Sequence, residues 1–250
     1  MLPLLTPDSP SGVRAVFTTR AGGASLPPYA ELNLGSHVGD DPGTVRENRA
    51  RVAAAVGLEP QRLVFADQVH GTAVSLLDGP VTIAPVADAL VTRVFRLAPV
   101  VLVADCVPVL LADPDAGAVA TAHAGRKGVA AGVVPAVVQA MRDCGARPEA
   151  ITAWLGPAID GCCYAVPEDM QAEVAKAAPG TVAYGGRTRS GEFGLDLRDG
   201  VTAQLAELGV EQVLRVGGCT HDEEDFFSYR RDGTTGRLAG LVWLTGPVRS

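Results

Sequence analysis

The chain has 250 residues, 47% of them hydrophobic, which leaves room for one large α/β domain or two small ones and for a sizeable core without disulfides. Its net charge of −7 argues against a nucleic-acid partner, which would need a basic face. No apolar run reaches the roughly 18 residues of a membrane helix; the best, Ala98 to Leu111, is interrupted by Asp105.

Met1-Leu-Pro-Leu-Leu-Thr-Pro7 has no basic n-region and no full apolar h-region, so the expectation is a cytoplasmic protein without a signal peptide. Five cysteines, two of them the neighbours Cys162 and Cys163, fit free thiols in a reducing compartment. Cys144 reads as a small core hydrophobe.

Val13 to Thr19 alternates as a strand and runs into a glycine-containing loop, Arg20 to Ser25. After Leu32-Asn33-Leu34-Gly35 and a polar turn at Gly39 to Pro42, the spacing predicts a helix from Thr44 that ends at Gly57. Leu63 to Ala66 and Val74 to Leu77 read as short strands. Val100 to Leu111 reads as one buried strand, and Gly117 to Ala122 as another that delivers His123. Helices are predicted over Val129–Arg142, Glu168–Ala178 and Leu195–Leu208, and strands over Ala150–Leu155, Val213–Val216 and from Gly240. Strands and helices mix without strict βαβ alternation, so the expected fold is a single mixed α/β (α+β) domain over 1–250, a layered sandwich of mixed sheets flanked by helices. There is no Gly-x-Gly-x-x-Gly after a strand and no Walker A motif, which argues against Rossmann and P-loop sites.

Three short motifs carry the chemistry: Gln68-Val-His70-Gly71, Ala104-Asp-Cys106-Val-Pro108 and Thr121-Ala-His123-Ala-Gly125. Two imidazoles and one thiolate suit a zinc ion with its fourth position open, the arrangement of a catalytic site. Each of the three ends an apolar, strand-like run, where a rigid sheet can hold a metal geometry. Asp105, beside Cys106, is a candidate to orient an imidazole or bind substrate. Arg126-Lys127 at a predicted helix start is a natural place for an anion. The spacings match no local zinc-finger pattern, and the residues alone equally suit three structural side chains.

The strings ADQVHG, VADCVPVLL, TAHAGRKG, AWLGPAIDGCCYAV and FFSYRRDG, in this order, make the chain resemble the YfiH-type family. That family is described both as laccase-like multicopper polyphenol oxidases and as purine nucleoside phosphorylases. The similarity runs from Phe17-Thr-Thr-Arg20 to Trp243. It implies a mixed α/β sandwich with zinc on His70, Cys106 and His123. It also implies phosphorolysis of adenosine, inosine, guanosine and 5′-methylthioadenosine, with some adenosine deamination. One departure stands out: where the family has HAGWRG, this chain has Arg126 and Lys127 in place of Trp and Arg.

For that reaction the catalytic set is His70, Cys106, His123 and Asp105, with Asp88 a second candidate proton handler. Arg20, Arg49 and Lys127 are candidates for phosphate and Asn33 for ribose or base. Tyr229 to Asp232 reads as structural ion pairing, and Cys219-Thr-His221 as no metal site. The expected partners are purine nucleosides and phosphate, with no nucleic acid and no membrane, and the chain acts as a monomer or homodimer.

A laccase would need a blue-copper centre and a trinuclear cluster, and four histidines cannot furnish both; a single adventitious copper at the zinc ligands remains an alternative that would give a weak polyphenol oxidase side activity. The rival enzyme reading is a cysteine hydrolase or amidase, Cys106 activated by His123, editing peptidoglycan precursors. The non-enzymatic rival is a zinc-stabilised binding module.

Overall fold

The computed structural model describes residues 2–246. In chain order the strands are β1 (Leu4–Leu5), β2 (Val13–Thr18), β3 (Leu63–Phe65), β4 (Val74–Leu77), β5 (Ala89–Thr92), β6 (Ala98–Val103), β7 (Val107–Asp113), β8 (Ala118–Ala124), β9 (Thr152–Leu155), β10 (Gln212–Arg215) and β11 (Leu238–Leu244). The α-helices are α1 (Pro42–Ala55), α2 (Arg126–Ala131), α3 (Val133–Asp143), α4 (Glu168–Ala177), α5 (Leu197–Glu207) and the single turn α6 (Tyr229–Asp232). One sheet has the order β1-β2-β11-β6-β3 and the other β10-β9-β7-β8-β5-β4, and both mix parallel with antiparallel pairs.

Strand periodicity explains the layering. Along β2, Val13, Ala15 and Phe17 point at the second sheet, and Val16 points the other way. In β11, Leu238, Val242 and Leu244 join the core between the sheets, while Ala239, Leu241 and Trp243 pack towards Val52 and Ala53 of α1. On the far face of the six-stranded sheet, Val107, Val109 and Leu111 of β7 and the alanines of β8 meet the apolar faces of α3 and α5. The result is four layers: α1, two sheets, then α2 to α5. This is the mixed, single-domain sandwich the sequence suggested.

Two expected elements are each split in two. The apolar run from Val100 to Leu111 forms β6 and β7 in different sheets, and the chain crosses between them at Ala104-Asp105-Cys106. Both strands are buried on both faces, so their patterns merge without a polar break. Asp105 makes the crossing with φ +92°, a conformation L-residues rarely adopt. The helix expected over Val129–Arg142 starts earlier, at Arg126, and is interrupted at Gly132 (φ +95°), which ends α2 and caps α3. The short strands β1 and β5 had no clear sequence signal: β1 is two residues long and β5 is an uninterrupted buried tetrapeptide.

Candidate active site

His70, Cys106 and His123 meet at the end of the sandwich. Their ligand atoms all lie within 4.8 Å of one another, and the two imidazole rings are 4.6 Å apart, edge to face. His70 is on the loop after β3, Cys106 immediately precedes β7, and His123 is the penultimate residue of β8.

Each position has a local cause. Gln68 pairs with the edge of β6, its amide nitrogen donating to Leu102 O and its oxygen accepting from Leu102 N, both at 2.8 Å. That fixes the start of the loop. His70 then adopts φ +60°, a conformation that costs a non-glycine residue free energy unless its surroundings impose it. They do: the Asp88 carboxylate accepts hydrogen bonds from three successive amides, Val69, His70 and Gly71, at 2.7–3.1 Å.

The same carboxylate accepts a hydrogen bond from His123 Nδ1 at 2.8 Å, with both side chains almost wholly buried. That bond sets the tautomer that leaves Nε2 free towards Cys106. Burial raises the Asp88 pKa, but the hydrogen bonds from His123, Gly71 and Val69 outweigh it and hold the carboxyl below its ordinary value. Burial likewise pushes the Cys106 thiol up, yet the charges and hydrogen bonds of His123 and His70 bring it down to about 6. His123 shows the converse. Burial lowers it, and the Cys106 charge and Asp88 raise it to about 9.

A thiol that ionises readily, an imidazole with a defined free nitrogen and a second imidazole fit a zinc ion with three protein ligands. The same set matches the trigonal His₂Cys pattern of copper sites, so the donors alone do not choose between the metals. Gly125 borders this cluster closely. A Cβ there would sit 2.9 Å from Cys106 Sγ and 3.1 Å from His70 Cδ2. Gly125→Ala should therefore weaken metal retention by roughly tenfold, the equivalent of about 1–2 kcal/mol of overpacking, with all three ligands intact. Metal content after dialysis checks this, and unchanged retention would mean the ligands do not act together.

A cavity of about 370 Å³ opens over the cluster, in the size range of small-molecule sites. Its walls include Tyr164, Tyr229, Arg230, Arg237 and His37. The Arg230 guanidinium lies 4.9 Å from the centre of the Tyr164 ring. A second cleft that also reaches His70 and Cys106 is lined by Val69, Arg126, Lys127 and Tyr164.

The remaining sequence candidates divide. Lys127 reaches the cleft. Arg20, Asn33 and Arg49 are not among the residues lining either space. Arg20 Nε donates to Ala30 O. Arg49 donates twice to Leu34 O and stacks 3.7 Å from the Phe65 ring, and burial lowers its pKa to about 10. Asn33 is fully buried and braces its own turn, bonding Gly35, Asp40 and the Arg237 amide. Asp105 lines the cavity, but its two oxygens are taken by Thr220 Oγ1 at 2.7 Å and the Arg230 amide at 2.6 Å. It is Asp88 that orients the imidazole. Of the tail expected to form ion pairs, Arg231 does pair with Asp232 at 2.8 Å, whereas Tyr229 and Arg230 face the cavity. Sequence reasoning also passed over His37, Tyr164 and Arg237. Of the cavity walls named above, Tyr164, Tyr229 and Arg230 fell within recognisable motifs.

A family model described as multi-copper polyphenol oxidoreductase laccase matches residues 14–245. The chain belongs to that family. The laccase-family chain is 53% identical to a purine nucleoside phosphorylase of Streptomyces coelicolor, over 95% of this chain and 98% of that one. It is 42% identical to the purine nucleoside phosphorylase YfiH of Escherichia coli K12, over 98% and 100% of the two chains. Among solved structures, this family member superposes on a DUF152 protein of Neisseria meningitidis with a TM-score of 0.88 at 40% identity, covering 97% and 99%. YlmD of Geobacillus stearothermophilus gives 0.85 at 32%, covering 98% and 100%.

Proposed function

We propose that the chain is a zinc-dependent purine nucleoside phosphorylase acting on adenosine, inosine, guanosine and 5′-methylthioadenosine. The observation that carries this reading is that His70 and Cys106 of the donor cluster line two spaces of different composition. One has aromatic walls and suits a purine; the other holds Arg126 and Lys127 and suits phosphate. Relatives named purine nucleoside phosphorylase, 42–54% identical over nearly the whole chain, support it.

In phosphorolysis a phosphate oxygen bonds to C1′ of the ribose while the C1′–N9 bond breaks, and its electron pair leaves with the purine. Charge spreads over the sugar much as in glycoside cleavage. Tyr229 and Tyr164 offer faces against which a flat base can pack. Burial lowers the His37 pKa, with Arg237 acting in the same sense, so its imidazole is neutral at pH 7 and offers one N–H to a purine nitrogen. Arg126 and Lys127 draw in phosphate, and the Asp88–His123 bond keeps the cluster in register. Zinc on His70, Cys106 and His123 would supply Lewis-acid stabilisation of charge on a substrate or phosphate oxygen. Adenosine deamination is the side reaction we assign to the same cavity: water adds to C6 of the adenine ring and ammonia leaves, while the C1′–N9 bond stays intact.

The test is adenosine and inosine turnover, with and without phosphate, on protein of known zinc content. Phosphate-dependent release of free base at about one zinc in this cluster supports the proposal. Release that ignores phosphate overturns it. Lys127→Arg should lower the phosphate KM by roughly threefold to tenfold, because a guanidinium fork adds a hydrogen bond that an ammonium cannot. An unchanged KM would remove Lys127 from the phosphate site.

One observation favours a second reading. Cys106, His123 and Asp88 also form a thiolate–imidazole–carboxylate relay, the arrangement of a cysteine-nucleophile hydrolase or amidase, for which peptidoglycan precursors are the substrates to test. Activity that survives chelation and is lost on alkylation of Cys106 would favour that reading over the phosphorylase.

A further inference from the structure

A second group of metal-type donors lies outside this site. The Cys162 and Cys163 sulfurs are 3.4 Å apart, and Cys163 Sγ is 3.3 Å from Asp222 Oδ1. The ligand atoms of these three residues all lie within 4.8 Å of one another. The two cysteines share a tight turn in which the amides of Cys163 and Tyr164 both donate to Asp160 O. Asp222 comes from the loop after Cys219, whose buried thiol accepts from the Asp160 amide at 3.4 Å.

We propose that Cys162, Cys163 and Asp222 bind a soft, thiophilic divalent cation of the zinc class, separate from the ion of the first cluster. Two thiolates on one tetrahedral zinc sit roughly 3.7 Å apart, from a Zn–S distance of about 2.3 Å, close to the separation already present. Asp222 is preset for the task. Its Oδ2 bonds the Arg189 guanidinium while Oδ1 faces the thiols, so ligation through Oδ1 keeps that bond. Two thiolates and a carboxylate carry one negative charge more than a dication offsets, and Arg189 supplies the balance. Binding releases the thiol protons to solvent as the metal–sulfur bonds form. Tyr164 follows Cys163 directly and lines both spaces of the first site. An ion here fastens the turn that carries that ring.

The experiment is cobalt and zinc titration of the full chain, reading metal per chain and thiolate-to-cobalt charge-transfer absorbance. Two ions per chain are expected in the unmodified protein. Cys106→Ala should still bind one ion and keep a charge-transfer band, since two thiolates remain at the second group. Cys162→Ser with Cys163→Ser should bind one ion, through the first cluster. A Cys106→Ala chain that binds no ion and shows no band would overturn the proposal even if the double variant failed to fold. The outcome does not depend on which reaction the first cluster performs.

Discussion

Cys106→Ala should abolish phosphorolysis and lower metal retention at the first cluster by more than about 100-fold, since even outer hydrogen-bond partners of metal ligands are worth about 10- to 100-fold. The fold should persist. Cys106 is partly exposed at the mouth of the cavity, so losing one sulfur costs about 1 kcal/mol of packing, well inside the stability of a domain this size. Metal content, turnover and a thermal melt on one preparation check all three parts. Full turnover by a metal-free Cys106→Ala chain would sink the zinc mechanism. A companion variant separates the two enzyme readings. Cys106→Asp removes the nucleophilic thiol but keeps an anionic zinc ligand. Residual phosphorolysis in that variant fits a metal site and is incompatible with a thiol nucleophile.

Asp88→Asn should be nearly as severe, for a different reason. Asp88 Oδ1 accepts from the His70 amide and His123 Nδ1, and Oδ2 accepts from the Val69 and Gly71 amides. An asparagine offers one oxygen and one NH₂, so whichever way it turns, an amide donor faces N–H groups. Buried donors left without partners cost about 1–3 kcal/mol each. His123 loses the partner that fixes its tautomer, and His70 loses the anchor for its left-handed backbone. The expected result is a loss of about 2–4 kcal/mol in stability together with about 10- to 100-fold in metal affinity and turnover. A variant with wild-type melting and wild-type zinc content would show that the carboxylate is a bystander. The dependence on pH has a definite sign. The folded pKa of Asp88 is depressed, so its contribution is present above the unfolded value, near 4, and is lost as pH falls through the lower folded value.

The three ligand positions were legible because each sits in a short motif of small residues at the end of a strand: His70 before Gly71, Cys106 before Val107-Pro108, and His123 before Ala124-Gly125. What holds them was not legible. Asp88 lies 18 residues from His70 and 35 from His123, and no local pattern joins an acid to amides that far away. Arg20, Arg49 and Asn33 show the opposite failure. A cation or amide near a glycine-containing turn suggests a ligand contact, but these three answer the hydrogen-bonding needs of backbone carbonyls and amides in the surrounding loops. The division of Val100–Leu111 was hidden because burial on both faces removes the alternation that marks a strand's end. Asp105 was the only mark of the crossing, and its carboxylate serves to anchor α6 and Thr220.

The crossing at Ala104–Cys106 also has a mechanical meaning. His70 follows a strand of one sheet, while Cys106 immediately precedes, and His123 lies in, a strand of the other. An ion shared among them would act as a rivet through the seam of the sandwich, driven home only after the two sheets have docked. If such an ion binds the docked state and not the separated sheets, every tenfold rise in free ion above its dissociation constant adds about 1.4 kcal/mol against unfolding. On the proposed metal reading, the melting temperature of this chain is a gauge of metal supply.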